Sequence, residues 1–261
     1  MSGVLSATLM VAGVGLFVGI FLSIASKAFA VPVDEKEEAI AGVLPGANCG
    51  ACGYSGCSAC AAAIAKGEAP VNACVVGQKP VADQVAEIMG TTAVEAQRKV
   101  AFVRCVGDCE KTTDRYEYHG PQHCANVKLA PGGGPKSCSF GCIGCGDCAD
   151  ACDYDAMHVA KGVAVVNEEN CVDCKKCMAA CPKGLIIEVP YNYTSHIGCV
   201  NPNKGKPVMQ ACKIGCITCQ KCVRDCPVQA ITIQGGFPVI DYSKCTDCGT
   251  CKAGCPRHCI V

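Results

Sequence analysis

The stretch from Cys142 to Cys181 sets the terms for the rest of the chain. It reads C-x2-C-x2-C-x3-C at Cys142, Cys145, Cys148 and Cys152, then repeats that spacing at Cys171, Cys174, Cys177 and Cys181, closed by Pro182. A cubane iron–sulfur cluster needs four thiolates converging from different directions. Three cysteines separated by two residues each wrap a turn of backbone around a cube, and the fourth comes from the other run. The spacing thus groups Cys142, Cys145 and Cys148 with Cys181, and Cys171, Cys174 and Cys177 with Cys152. Two such cubes lock two loops together. Paired C-x2-C motifs also bind zinc, but zinc modules rarely use the third and fourth cysteines of this run.

The double run is the ligand pattern of a bacterial-type ferredoxin module, and it occurs twice. Cys216, Cys219, Cys222, Cys226, Cys245, Cys248, Cys251 and Cys255 repeat the first eight at a constant offset of 74 residues, with Pro227 and Pro256 after the last cysteine of each run. The repeat extends upstream, because Cys138 maps onto Cys212, while Cys124 and Cys199 are one residue out of step. Duplication of one unit accounts for this many matches. Cys152 departs from the pattern only in being followed by Asp153 rather than proline. Short β hairpins should flank the cluster loops, Ala156 to Val159 with Val163 to Val166, and Ile231 to Ile233 with Val239 and Ile240.

The chain has 261 residues, 28 cysteines, no tryptophan and zero formal net charge. Nothing in that balance points to nucleic acid. Cysteine this dense marks either a disulfide scaffold or metal inside a cell, and the spacing decides for metal. Cluster thiolates must stay reduced, which places the cluster region on the cytoplasmic side.

Residues Val4 to Ala25 carry no charge, and about 20 apolar residues span a bilayer as a helix. Ala28-Phe29-Ala30 also resembles a signal cleavage site, but there is no basic segment before the apolar run and the run is long. The expectation is a retained single-pass anchor over residues 1–30, contacting membrane lipid, with Lys27 favouring a cytoplasmic C-terminal side. A small helical domain follows over 31–103. It carries Cys49, Cys52 and Cys57 in C-x2-C-x4-C spacing, with Cys74 further on. Glycines there let backbone fold tightly round a cube, and zinc is the alternative occupant. Cys60, on the Ala-rich helix from Ser58 to Lys66, reads as a packed free thiol. Pro80 to Phe102 reads as helix, broken at Gly90 and restarted by a capping box from Thr92 to Glu95.

The segment 104–138 is irregular. Cys105, Cys109, Cys124 and Cys138 are expected to form one further ligand set, with spare thiols as the alternative. The modules then occupy 139–190 and 212–261, joined by a polar connector over 191–211. Each module has one thiol too many beside its first run, Cys138 or Cys212. The regular run is expected to use Cys145 and Cys219, leaving Cys212 and Cys199 spare while Cys138 binds iron; the alternative is that Cys138 joins Cys142 and Cys148 and Cys145 stands aside, with Cys212 and Cys219 the matching choice in the second module. His119, His123, His158, His196 and His258 show no ligand spacing. The expected architecture is α+β: one transmembrane helix, a small helical [4Fe-4S] domain and two tandem 2[4Fe-4S] ferredoxin modules, holding about six clusters.

This arrangement resembles the B-type component of the Rnf complexes, the membrane-bound, ion-translocating ferredoxin:NAD oxidoreductases. The resemblance rests on the apolar N-terminus, on Pro45 to Cys57 with Cys74, and on both ferredoxin runs. The stretch Cys105-Val106-Gly107-Asp108-Cys109-Glu110-Lys111-Thr112-Thr113 with Tyr118-His119-Gly120 resembles the longer, multi-cluster form. The resemblance implies that reduced ferredoxin hands electrons to this component, and that its clusters pass them to flavin-bearing membrane partners at the cell membrane. No Gly-rich dinucleotide motif follows a strand here, so NAD is expected to bind elsewhere.

Overall fold

The computed structural model describes residues 2–28, 34–93 and 97–261. Helix α1 runs Ser2–Ala28, and its side chains are described at Met10 and at 12–25. Val14, Leu16, Phe17, Ile20, Phe21 and Ile24 are exposed along it. Over the described residues no helix is long and apolar enough to cross a membrane.

A helical unit comes next. Helix α2 (Glu35–Val43) starts at Asp34, whose carboxylate accepts from the Lys36 amide at 3.0 Å, a standard N-cap with three glutamates in the first turn. Helix α3 (Cys57–Ala65) and helix α4 (Gln78–Met89) pack against it. Ile40, Ala61, Ile64 and Val85 close this core, each 1% exposed or less. Gly90 ends α4 in the left-handed conformation at φ 67°. The capping box expected to restart the helix includes Glu95, which lies outside the described residues.

The helix expected to reach Phe102 does not do so. Lys99–Val103 is a strand, β1, antiparallel to β4 (Ile186–Pro190), with Lys99 opposite Pro190 and Val103 opposite Ile186. Val-Ala-Phe-Val suits a half-buried strand once a partner edge is available, and that pairing overrides local helical preference. Val100, Ala101 and Val103 are buried in the first module's core, beside Cys142, Cys148, Cys171 and Cys177. A boundary at residue 103 therefore does not separate two folding units.

Each module is built on a hairpin at the expected position. Strand β2 (Met157–Ala160) pairs with β3 (Val163–Val166), and β5 (Ile231–Gln234) with β6 (Phe237–Ile240). A short helix lies inside each run and carries its third cysteine: α6 (Asp147–Asp150) and α7 (Lys176–Ala180) in the first module, α9 (Lys221–Arg224) and α10 (Thr250–Ala253) in the second. Helix α5 (Cys124–Lys128) precedes the first module and α8 (Lys206–Ala211) the second.

The connector repeats the service that β1 performs. Ile197 bridges Ile260, as Val103 pairs with Ile186. The next amides match too, Gly198 N–H donating to Cys259 O at 2.8 Å and Arg104 N–H to Leu185 O at 2.8 Å. Segment 108–113 then docks on the second module: Thr112 Oγ1 donates to Ala211 O at 2.8 Å, and Lys213 N–H to Lys111 O at 2.7 Å.

His196 fastens this junction. Its backbone pairs with Val261, its Nε2–H donates to Tyr193 O at 2.9 Å, and its Nδ1 accepts from Tyr242 Oη at 2.7 Å. It also lies 4.9 Å from the Phe102 ring of β1. Burial lowers its pKa from the ordinary 6.5. The unfolded chain therefore takes up this proton at a higher pH than the native one. The contribution to stability is complete above pH 6.5 and is lost as pH falls through the lowered native value. Thermal unfolding of the anaerobic holoprotein should weaken accordingly on acidification below about pH 6.5, and that part of the pH dependence should vanish in His196→Gln.

Candidate metal centres

All 28 cysteines are free thiols, and all but Cys109 fall into six groups. No group of three or more Cys, His, Asp or Glu among the described residues is drawn in tightly enough to hold a single metal ion. The thiols instead ring cavities. In the helical unit Cys49, Cys52, Cys57 and Cys74 share one cavity with Cys60. Asn48 shapes its mouth, at φ 46° with Oδ1 accepting from the Cys57 amide at 2.8 Å, where α3 begins.

In both modules the groups cross between runs. Cys142, Cys148 and Cys181 line one cavity, and Cys177 is surrounded by Cys171, Cys174 and Cys152. In the second module Cys216, Cys219, Cys222 and Cys255 line one cavity, and Cys226, Cys245, Cys248 and Cys251 another. The fifth thiol beside the first run is not Cys138 but Cys124, which lines the same cavity and hydrogen-bonds Cys145. In the second module that role falls to Cys259, whose Sγ lies 3.7 Å from Cys255 Sγ. Cys259 occupies the place that Leu185 holds in the first module.

The expected set Cys105, Cys109, Cys124 and Cys138 does not assemble. Cys109 is exposed, its amide held by Lys161 O at 3.0 Å, and Cys124 is committed to the Cys142 cavity. Cys105 and Cys138 instead meet Cys199 and Cys212, the two thiols expected to be spare. The offset that matched Cys199 with Cys124 was misleading. By fold, Cys199 follows Ile197 as Cys105 follows Val103, so Cys105 is its counterpart. That equivalence became visible only through strand pairing.

The runs fit a cubane through their backbone. The residues flanking the second cysteine of each run are left-handed: Gly144 and Gly146, Asp173 and Lys175, Thr218 and Gln220, Asp247 and Gly249. Such nests turn successive amides toward one anionic centre. Amides also reach the thiols: Ala101 N–H to Cys171 Sγ at 3.3 Å, Ala230 N–H to Cys226 Sγ at 3.3 Å, Asp247 N–H to Cys245 Sγ at 3.4 Å, and Gly77 N–H to Cys74 Sγ at 3.4 Å. The donor at Ala101 comes from β1, far from any cysteine motif, and no motif spacing could have signalled it.

Electrostatics states the same requirement. Burial, then neighbouring thiols, pushes Cys148 and Cys177 up to about 12 and Cys222 up to about 11. Burial likewise raises Cys142, Cys174 and Cys251. Clustered thiols in an apolar setting cannot all ionise unless a cation takes the place of their protons. In the second module a hydrogen bond from Cys259 lowers Cys216 to about 7 and Cys255 to about 5, leaving Cys259 as the protonated partner.

The 4Fe-4S dicluster domain family matches twice, over residues 141–185 and 215–259. The family described as "Putative Fe-S cluster" matches residues 44–76. Among curated proteins, the chain is 42% identical to the B-type component of the Na(+)-translocating ferredoxin:NAD(+) oxidoreductase complex of Acetobacterium woodii, over 94% of this chain and 74% of that one. It is 42% identical to the B-type component of the ion-translocating oxidoreductase complex of Methanosarcina acetivorans, covering 100% and 99%. It is 37% identical to the B-type component of the proton-translocating ferredoxin:NAD(+) oxidoreductase complex of Clostridium ljungdahlii, covering 95% and 88%.

Gly144 offers a direct test of the loop geometry. At φ +92° a Cβ there would stand 2.3 Å from Gly162 O, on the turn of the β2–β3 hairpin. In the second module Thr218 takes the same place and donates Oγ1–H to Gly236 O at 3.0 Å. Gly144→Ala should force loop and hairpin apart, costing about 1–3 kcal/mol for the backbone alone and about four irons per chain from the Cys142 group. Gly184→Ala, also at positive φ but facing open space, should keep full iron. Iron content of the two anaerobically purified variants checks this.

Proposed function

Because this chain belongs to the family of B-type components of ion-translocating ferredoxin:NAD oxidoreductase complexes, and is an iron–sulfur electron-transfer subunit of such a complex, we propose that its thiol groups form one electron path from the C-terminal module to the N-terminal unit. The observation that supports this reading is the order of the groups. Cys49 lies close enough to Cys174 for their thiolates to repel, Cys142 likewise to Cys105, and Cys199 to Cys216. The two groups of the first module share one apolar core, and Cys222 lies close to Cys251 in the second, so each group has a neighbouring group.

In this reading Cys49, Cys52, Cys57 and Cys74 hold one [4Fe-4S] cluster. In the first module Cys142, Cys145, Cys148 and Cys181 hold a second, and Cys171, Cys174, Cys177 and Cys152 a third. In the second module Cys216, Cys219, Cys222 and Cys255 hold a fourth, and Cys245, Cys248, Cys251 and Cys226 a fifth. Such clusters each take up and release a single electron without making or breaking a bond. The chain's part is to space them, to keep them out of water and to tune them through the amide hydrogen bonds on their thiolates. Reduced ferredoxin docks at the second module, where Cys219 and Cys248 are exposed. The N-terminal unit faces membrane partners of the complex, flavin-bearing subunits among them. The described part of α1 is not by itself a span; it is the uncharged run Val4 to Ala25 of the full sequence that supports residues 1–30 as a single-pass anchor in the cell membrane, with the cluster domains on the cytoplasmic side, where reduced thiolates persist.

Three measurements test this. The anaerobically purified chain should contain iron, at least about 20 atoms by five cubes of four, and its absorbance should bleach on mixing with reduced ferredoxin. Zinc in place of iron, or reduction by dithionite but not by ferredoxin, overturns the reading. Deleting residues 1–30 should release the chain from membranes with its iron retained; a deletion variant that stays in the membrane fraction rules out the anchor.

A further inference from the structure

We propose that Cys105, Cys138, Cys199 and Cys212 hold a sixth [4Fe-4S] cluster, at the seam between the two ferredoxin modules and outside both of their cysteine runs. The inference rests on the electron-transfer reading above and adds to it a site that no motif in the sequence delimits.

The four thiols line one cavity, together with Gly107, Gly141 and Asn201. They come from four separate segments. Cys105 follows β1, Cys199 follows the Ile197 bridge, and Cys138 and Cys212 each stand four residues before the first cysteine of a run. The arrangement is a pair of equivalent half-sites. Cys105 and Cys138 belong to the first repeat, Cys199 and Cys212 to the second, in matching structural positions. Each repeat brings two thiolates, and only the docked pair completes a set of four. This is why the upstream cysteine recurs at the same offset as the runs: each copy supplies half of one shared site.

Two glycines keep the space open. A Cβ on Gly141 would lie 3.3 Å from Cys105 Sγ and 3.6 Å from Cys138 Sγ. One on Gly107 would lie 3.2 Å from Cys212 Sγ and 3.9 Å from Cys105 Sγ. Neither glycine has the positive φ that would otherwise call for it, so each serves to leave room beside sulfur. Hydrogen bonds to the thiols follow the pattern of the other groups. The Cys216 amide donates to Cys199 Sγ at 3.3 Å, backbone at Ile214 and Gly215 donates to Cys212, and the buried Asn201 donates Nδ2–H to Cys138 Sγ at 3.7 Å. Cationic side chains lie alongside. Arg104 and Lys136 line the cavity, and Lys183 is held nearby by Ser139 O and Gly141 O, each at 3.0 Å. They oppose the net negative charge that four thiolates give a cubane.

The position gives the site its meaning. Cys142 lies one short turn from Cys138, and Cys216 donates directly to Cys199. A cluster held here stands between the first-run groups of the two modules. It accepts one electron from a reduced neighbour, which is thereby oxidised, and passes one electron to the next; no proton or other atom moves. Without it, the modules are two separate relays.

The test replaces one thiol from each half-site, Cys105→Ala and Cys212→Ala, with Cys109→Ala as control, in the full chain purified anaerobically. Each half-site variant should lose about four irons per chain and one reduced-cluster signal by electron paramagnetic resonance, while the control keeps both. The remaining signals report whether the modules have folded. Gly141→Ala provides a milder variant that retains every thiol, and it should weaken or shift the same signal alone. Full iron and an unchanged spectrum in both half-site variants overturn the site yet leave in place the five clusters assigned to the modules and the N-terminal unit. Loss of all clusters in Cys212→Ala, with Gly141→Ala spectroscopically silent, also overturns it, because Cys212 would then be a structural thiol.

Discussion

Thiolates repel one another, and most of this chain's buried thiols have nowhere to send their charge. That one constraint underlies the architecture. The cores of the modules are made of the same cysteines that ring the cavities: Cys142, Cys148, Cys171 and Cys177 are buried in one core with Val100, Val163 and Val189. Burial raises Cys142, Cys148 and Cys177, so the apolar packing and the ionised ligand set are incompatible until metal replaces the protons. Hairpins of four residues per strand and helices of four or five bury too little to stand alone. Elements this short gain their stability from the groups they surround, as in small metal-dependent domains.

Backbone geometry carries the second part of the design. Left-handed residues on either side of each run's second cysteine aim amides at a common centre. Glycine, at Gly144, Gly146 and Gly249, fills some of those positions, while Asp, Lys, Thr and Gln fill the others. At the non-glycine positions the conformation is a disfavoured one that the surrounding loop must hold in place. The two copies have also diverged in how they hold the loop to the hairpin. Gly144 approaches Gly162 directly, whereas Thr218 spans the wider gap with a hydroxyl. The same contact is kept by different means.

Duplication explains more than the two runs. Strand β1 and the connector through Ile197 are the same structural element in two settings, each adding an edge to its module and each followed after one residue by a cysteine. In one copy the element is a five-residue strand, in the other a single bridge. His196 and Tyr242 hold the shorter version in place by side-chain hydrogen bonds. The seam between the modules is therefore built from matched parts, and its thiols meet because the parts match.

Local spacing determined by itself the ferredoxin runs, their crossed grouping and the Cys49 motif, because ligands separated by two residues must share one turn of chain around one cube. It also determined the two hairpins, whose apolar runs close across Lys161-Gly162 and Gly235-Gly236. Tertiary structure alone decided the rest. Lys99 to Val103 looked helical until the edge of β4 was present to pair with it. Cys109 and Cys124 looked like partners of Cys105 because they lie near it in sequence, yet Cys109 turns to solvent and Cys124 packs against Cys145. Cys199 and Cys212 looked spare because no thiol near them in sequence completed a set. Their partners lie in the other repeat, and it is contacts such as the docking of segment 108–113 on Ala211 and Lys213, the Val106 amide on Gly198 O and Asn201 on Cys138 that bring the two halves together. A ligand set drawn from four distant segments has no spacing to read; it exists only once the modules are packed.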